Sequence, residues 1–155
     1  MPTDTTVLIC AGLLADGISS SAQTDHAILV HNGRITAVGP RLSLRQHTPP
    51  DTPLIDLGSA CLAPGLIDGH THLSLAGNGG SYVDMFSESD EKMVLIGAYN
   101  MQLHLRAGIT TIREHGARNK VGFALKEALG QGYIPGPRMQ ASGRPITCTG
   151  GHFHN

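Results

Sequence analysis

The sequence contains no tryptophan, few other aromatic residues and no excess of charge of either sign. Three tyrosines and three phenylalanines in 155 residues argue against a surface that stacks nucleic-acid bases or sugars. Eleven lysines and arginines stand against twelve aspartates and glutamates, which gives a formal net charge of −1. Because this balance offers no basic surface to a phosphate backbone, nucleic acid is not expected as a partner.

Cysteines and long apolar runs are also scarce. Cys10, Cys61 and Cys148 are far apart and include no Cys-x-x-Cys pair, which argues against a disulfide scaffold or a Cys-rich zinc site. No apolar run approaches the roughly 20 residues that a membrane-spanning helix needs. We therefore predict a protein of a reducing compartment, the cytoplasm, with no membrane partner.

The first third of the chain has the pattern of a small β module. Apolar or β-branched runs lie at residues 7–14, 27–31, 34–39, 54–57 and 61–63. Asn32 and Gly33 separate the second run from the third, and this dipeptide favours a type I′ hairpin turn with positive φ at both positions. Four prolines within residues 40–53 predict an irregular segment there.

From Pro64 onward the pattern changes to alternating strands and helices. Strands are predicted at 65–68, 109–113 and 138–142, and helices at 91–106 and 120–129. Ser87 and Asp90 resemble a helix start, and Gly108 is placed to end the first helix. The predicted apolar face of that helix comprises Val94, Leu95, Ala98, Met101 and Leu105. Alternation of this kind predicts an α/β fold with a parallel sheet.

His70 and His72 flank Thr71 at the end of the first of these later strands. Side chains two residues apart in an extended segment project to the same side, so the two imidazoles could hold one metal ion. Imidazole suits several divalent metals, and the pair alone does not identify which one. The alternative is that both are surface or hydrogen-bonded core histidines. His26, His31, His47 and His104 are interpreted in that second way.

Four segments together resemble the amidohydrolase superfamily. They are APGLIDGHTH at 63–72, HNGRITAVG at 31–39, AGITTIR at 107–113 and SGRPITCTGGH at 142–152. The last one resembles a narrower branch, the imidazolonepropionase-like and prolidase-like members. The resemblance implies that residues 1–62 form a β-sandwich segment, followed at 63–155 by the first three strands and two helices of a TIM-like (β/α)₈ barrel. Since such a barrel takes roughly 250 residues, the chain is interpreted as an N-terminal fragment.

The resemblance also implies a metal site. His70 and His72 match a metal-binding pair of the superfamily, which uses one or two divalent ions, with Zn²⁺ expected, to activate a hydroxide for attack on an amide carbonyl. The superfamily's carboxylated lysine, two later histidines and late aspartate have no counterpart in this chain. No catalytic residue is therefore assignable, and the chain by itself is expected to be inactive.

Further side chains are candidates around this site. Asp68 could orient the site through a hydrogen bond to a ligand, or only satisfy nearby backbone amides. Arg113 could pair with a carboxylate in the shell around the metal, or belong to a structural ion pair with its neighbours. Glu114 or His115 could line the pocket. By resemblance, His152 could bind the substrate carbonyl, and its alternative is an ordinary loop histidine.

The leading hypothesis is hydrolysis of a C–N bond in a small-molecule amide, such as a dipeptide or an N-acyl amino acid. A cyclic amide or a deamination substrate is the enzymatic alternative, since the superfamily covers these as well. A non-catalytic metal-binding or assembly module is the alternative from another class. Homo-oligomerisation is left open.

Overall fold

The computed structural model describes residues 5–80 and 87–151. The chain divides into two compact units, one ending at Pro64 and the other beginning at Gly65. Helices and sheets are both present, and the second unit alternates them along the chain. The predicted α/β class is therefore confirmed.

The first unit contains a five-stranded sheet. Its strands are β1 (Thr6–Leu14), β2 (Gln23–His31), β3 (Arg34–Pro40), β4 (Leu54–Asp56) and β5 (Cys61–Leu62). The order is β3-β2-β1-β4, and β5 also pairs with β1. The β1–β2 and β2–β3 pairs are antiparallel, whereas β4 and β5 run parallel to β1.

The turn between β2 and β3 has the predicted conformation. Asn32 has a φ of 50° and Gly33 a φ of 74°, and His31 pairs with Arg34 across the turn. Positive φ at both central positions is what a type I′ turn requires, so the hairpin prediction is confirmed.

The segment predicted to be irregular contains a short helix, α1 (Arg41–Gln46). Pro40 stands immediately before it, and the other three prolines lie beyond its end. Proline is excluded from strand and helix interiors but is compatible with a helix start, because the first N–H groups of a helix have no partner within it. The prediction of an irregular segment over 40–53 was therefore wrong for residues 41–46.

The second unit contains a parallel sheet of three strands, as predicted. These are β6 (Leu66–Thr71), β7 (Ile109–Glu114) and β8 (Arg138–Ala141), in that spatial order. The helices α2 (Asp90–Arg106) and α3 (Val121–Gly130) connect them. A helix in each connection allows neighbouring strands to run parallel.

Helix α2 differs from its prediction at its start and on its buried face. Ser89 is the N-cap, and its side chain accepts a hydrogen bond from the N–H of Lys92 at 3.3 Å. The buried positions are Met93, Gly97 and Met101. Of the predicted face, Met101 is buried and Val94 and Ala98 pack against the core, whereas Leu95 is 71% exposed.

A close contact between α2 and α3 accounts for the burial of Gly97. A Cβ placed on Gly97 would lie 2.4 Å from Cδ1 of Leu125. Glycine therefore lets the two helices approach at this point, where a larger side chain would not fit.

The core of the second unit lies among the sheet and its helices. Its buried members include Leu73, Met93, Met101, Ile112, Val121 and Leu125. Among residues 5–80 and 87–151, no helix has the length and apolar composition that crossing a membrane requires.

Candidate metal centre

The carboxyl ends of the three parallel strands lie side by side in the second unit. Strand β6 continues to Thr71, beyond the predicted end at residue 68. Thr71 pairs with Glu114 of β7, and Glu114 pairs with Ala141 of β8. Residues at or just after the ends of these strands therefore share one edge of the sheet.

The rings of His70 and His72 lie next to each other at this edge of the sheet, nearly perpendicular in plane. Their ring centroids are 5.3 Å apart and their planes meet at 78°. Nδ1 of His72 lies 3.2 Å from the carbonyl oxygen of Gly116. Because a carbonyl only accepts, Nδ1 is the donor and the neutral ring carries its lone pair on Nε2. This is the tautomer in which imidazole binds metal through Nε2 while its other nitrogen is held by a hydrogen bond.

The distance between the two rings fits a shared ion. If each ring directs one nitrogen at the ion, a Zn–N bond of about 2.1 Å, about 1.2 Å from nitrogen to ring centre and an angle of about 109° place two imidazole centroids about 5.4 Å apart. The observed separation of 5.3 Å is close to this value. Across the part of the chain that the structure describes, no group of three or more His, Cys, Asp or Glu residues could hold a metal ion. Among the described residues, His70 and His72 are a pair of neighbouring imidazoles, and they do not form part of a larger ligating group.

His115 brings a third imidazole to the same edge. Its ring stacks on that of His70, with centroids 4.5 Å apart and planes within 8° of parallel. Its Nε2 is buried and has no hydrogen-bond partner among the described residues. Burial, together with the positive charge of Arg113, lowers the pKa of His115, which favours the neutral ring.

Glu114 is completely buried beneath this edge. Its Oε1 accepts a hydrogen bond from the N–H of Gly116 at 3.0 Å, while Oε2 has no partner within the described ranges. Burial raises the pKa of the Glu114 carboxyl. Glu114 thus secures, through Gly116, the loop whose carbonyl holds His72.

Asp68 and Arg113 both contact the backbone beside His70. Oδ1 of Asp68 accepts a hydrogen bond from the N–H of His70 at 3.0 Å. Nε of Arg113 donates to the carbonyl oxygen of Gly69 at 2.9 Å, which ties β7 to β6 at this level. Of the two alternatives for Asp68, this contact favours the backbone role. His152 lies outside the described residues.

Helix α2 contributes two residues that the sequence analysis did not identify as part of the site. Asn100 donates through Nδ2 to the carbonyls of Leu73 at 2.8 Å and Leu75 at 2.9 Å. Nε2 of His104 lies 3.6 Å from Oδ2 of Asp68. One feature of the sequence could have identified them: Asn100 and His104 are polar residues one helical turn apart, next to the helix face that bears Met101.

We expect Asn100→Asp to destabilise the second unit. A carboxylate would present only acceptors to the two carbonyl oxygens, so both hydrogen bonds would be lost and replaced by repulsion. The expected loss is about 2–3 kcal/mol of unfolding free energy, measured by urea denaturation at pH 7. Gln102→Glu makes the same amide-to-carboxylate change on the same helix and is expected to change stability by less than about 0.5 kcal/mol. Equal losses in both variants would contradict the anchoring role of Asn100.

Comparison with known proteins gives matches along most of the chain. Residues 61–155 match the amidohydrolase family. The imidazolonepropionase of Shewanella loihica is 47% identical over 57 residues, which are 37% of this chain and 14% of that protein. The imidazolonepropionase of Pseudomonas putida strain F1 is 28% identical over a region covering 86% of this chain and 37% of that protein.

A solved structure is similar over nearly the whole chain. The crystal structure of a Xaa-Pro dipeptidase with bound methionine in its active site superposes with a TM-score of 0.81 at 27% sequence identity. The similarity covers 96% of this chain and 36% of the dipeptidase chain. The matched regions therefore span 36% of the dipeptidase chain, and 14% and 37% of the two imidazolonepropionases.

Proposed function

The chain belongs to the amidohydrolase family, and we propose that the natural protein carrying it is a metal-dependent hydrolase of a C–N bond. The supporting observation is the pair His70 and His72 at the carboxyl edge of the parallel sheet. Their centroid separation of 5.3 Å suits one shared ion, and the contact of His72 with Gly116 sets the required tautomer. Active sites of parallel-stranded α/β enzymes lie at this edge.

The proposed architecture extends beyond the described sheet. We propose that β6, β7 and β8 are the first strands of a (β/α)₈ barrel, and that residues 1–62 belong to a β-sandwich. The remaining metal ligands would then follow later strands, which agrees with the absence of a group of three or more ligating residues from the described part of the chain. The 155 residues alone are expected to be inactive for that reason.

The proposed ion is Zn²⁺, held by His70 and His72. When bound, a divalent ion supplies the Lewis acidity that activates water for attack on a carbonyl. Gly116 holds the His72 ring through its carbonyl, while Asp68 and Arg113 hold the backbone around His70. By family resemblance, we propose that His152 binds the substrate carbonyl.

The proposed substrate is a dipeptide or an N-acyl amino acid. This choice is supported by the 27% identity with the Xaa-Pro dipeptidase over nearly the whole chain. We further propose a cytoplasmic location, since the three cysteines are free and show no disulfide pattern. A cyclic amide hydrolase and a deaminase of the same family are the alternatives that the test must separate.

We expect the purified natural protein to lose at least about 99% of its hydrolytic activity after dialysis against a zinc chelator. Zinc supplies the activation of water, so adding it back should restore the rate. The assay would measure amine release from Xaa-Pro dipeptides, other dipeptides and N-acyl amino acids. Cyclic amides, followed by ring opening, and aminopurines, followed by ammonia release, complete the panel.

Each outcome of this experiment discriminates between the hypotheses. Turnover confined to cyclic amides or to deamination substrates would replace the proposed substrate and keep the metal-dependent chemistry. Bound zinc without turnover of any substrate would favour the non-catalytic module. Activity that survives complete removal of the metal would contradict the proposed mechanism.

A further inference from the structure

We propose that His115 is a positioning residue that orients the His70 imidazole by stacking on it. Through this contact His115 would control the affinity of the site for a divalent ion without touching the ion. The inference rests on the proposed role of His70 as a metal ligand. Its basis is the nearly parallel arrangement of the two rings, 8° apart in plane and 4.5 Å between centroids.

The backbone fixes His115 in this place. Its N–H donates to the carbonyl oxygen of Thr71 at 2.9 Å, directly after the register pair of Thr71 and Glu114. The end of β7 is thereby joined to the end of β6 at the level of His70. The backbone that carries the His115 ring is therefore held beside His70.

The geometry argues against His115 as a third ligand. The lone pair of an imidazole nitrogen lies in the plane of the ring, so an ion bound by two imidazoles lies close to both planes. Two planes that are stacked and nearly parallel share no point near the rings. His70 and His72 differ in this respect, because their planes meet at 78°.

A free imidazole side chain can rotate about two torsions, and binding an ion requires one orientation. A stacked neighbour that restricts this rotation lowers the entropic cost of binding, as do other residues that hold metal ligands in place. Removal of such supporting residues typically lowers metal affinity about 10- to 100-fold. Because stacking is weaker than a hydrogen bond to the ligand, we expect the lower end of this range.

The test uses three replacements of His115 in the natural protein. His115→Phe keeps a flat aromatic ring and removes both nitrogens. His115→Leu keeps a bulky side chain without a flat ring, and His115→Ala removes the bulk as well as the ring. We expect zinc affinity within about threefold of wild type for the Phe variant and about tenfold weaker for the Leu and Ala variants. Affinity would be measured by competition with a chromophoric chelator, and circular dichroism would verify the fold of each variant.

Other outcomes would overturn the proposal in distinguishable ways. Equal loss in the Phe and Ala variants would show that a nitrogen of His115 is required, and unchanged affinity in all three would exclude any role of the stack. A His70→Ala variant measured in the same series tests the premise. If the His70→Ala variant keeps full affinity for zinc, or if wild type binds no zinc, the proposed function fails. If the His70→Ala variant loses zinc while the His115→Ala variant retains zinc, only the positioning role of His115 fails.

Discussion

The double variant His70→Ala/His72→Ala is expected to lose its divalent ion. Each imidazole would contribute one nitrogen ligand, and a four-coordinate zinc site deprived of two ligands retains half of its shell. We expect zinc affinity to fall by well over a hundredfold, more than for loss of a residue that only supports a ligand. Bound metal would be counted by plasma mass spectrometry on the purified natural protein, with affinity measured by chelator competition.

Single variants and a distant histidine provide the controls for this loss. His70→Ala and His72→Ala alone should each weaken binding strongly, because either one removes a ligand. His47→Ala removes an exposed imidazole of the first unit, whose Nδ1 donates to the Ser43 carbonyl at 2.7 Å, and should leave the zinc content unchanged. Zinc retained at one equivalent by the double variant would exclude this pair as the metal site.

Gly116→Ala is expected to damage both the fold of the second unit and the proposed metal site. Gly116 has a φ of 145°, and a Cβ there would lie 2.5 Å from Cγ of Pro145. The proline ring cannot rotate away, and L-residues rarely adopt this backbone conformation. We expect a loss of about 3 kcal/mol in unfolding free energy, measured by urea denaturation.

The same substitution should weaken metal binding, because both polar groups of Gly116 have partners at the site. Its N–H donates to Glu114 at 3.0 Å and its carbonyl accepts from His72 at 3.2 Å. A displaced carbonyl would release the His72 ring, and we expect about 10- to 100-fold weaker zinc binding.

The matched control for this substitution is Gly130→Ala. A Cβ at Gly130, the last residue of α3, meets no atom within 4 Å. Alanine in this helical position should be neutral or stabilise by up to about 1 kcal/mol. Wild-type stability and zinc affinity in Gly116→Ala would refute the positioning role of Gly116.

Much of the local structure could be predicted from the sequence because it depends on neighbouring residues. The Asn32–Gly33 turn follows from the conformations open to those two residues, and the strand–helix alternation after Pro64 follows from composition. The short helix at 41–46 was not predicted, because the prolines were interpreted only as excluding regular structure. A proline directly before a helix is compatible with its start. The buried face of α2 was predicted only in part, because the approach of Leu125 to Gly97 depends on a distant part of the chain.

The sequence by itself determined the chemistry that this edge of the sheet can offer. The spacing of His70 and His72 around one residue places two imidazoles together wherever the segment is extended, and this is a local property of a strand. The segments around it determined the family resemblance, which the match over residues 61–155 confirmed.

Only the tertiary structure decided what surrounds those two imidazoles. Strand register brings His115 onto His70 and the Gly116 carbonyl onto His72, and helix packing brings His104 toward Asp68. Each of these contacts joins residues that are distant along the chain, so it depends on how strands pair and helices dock. No local periodicity encodes such a pairing, because the same residue pattern is compatible with many neighbours until the sheet has formed.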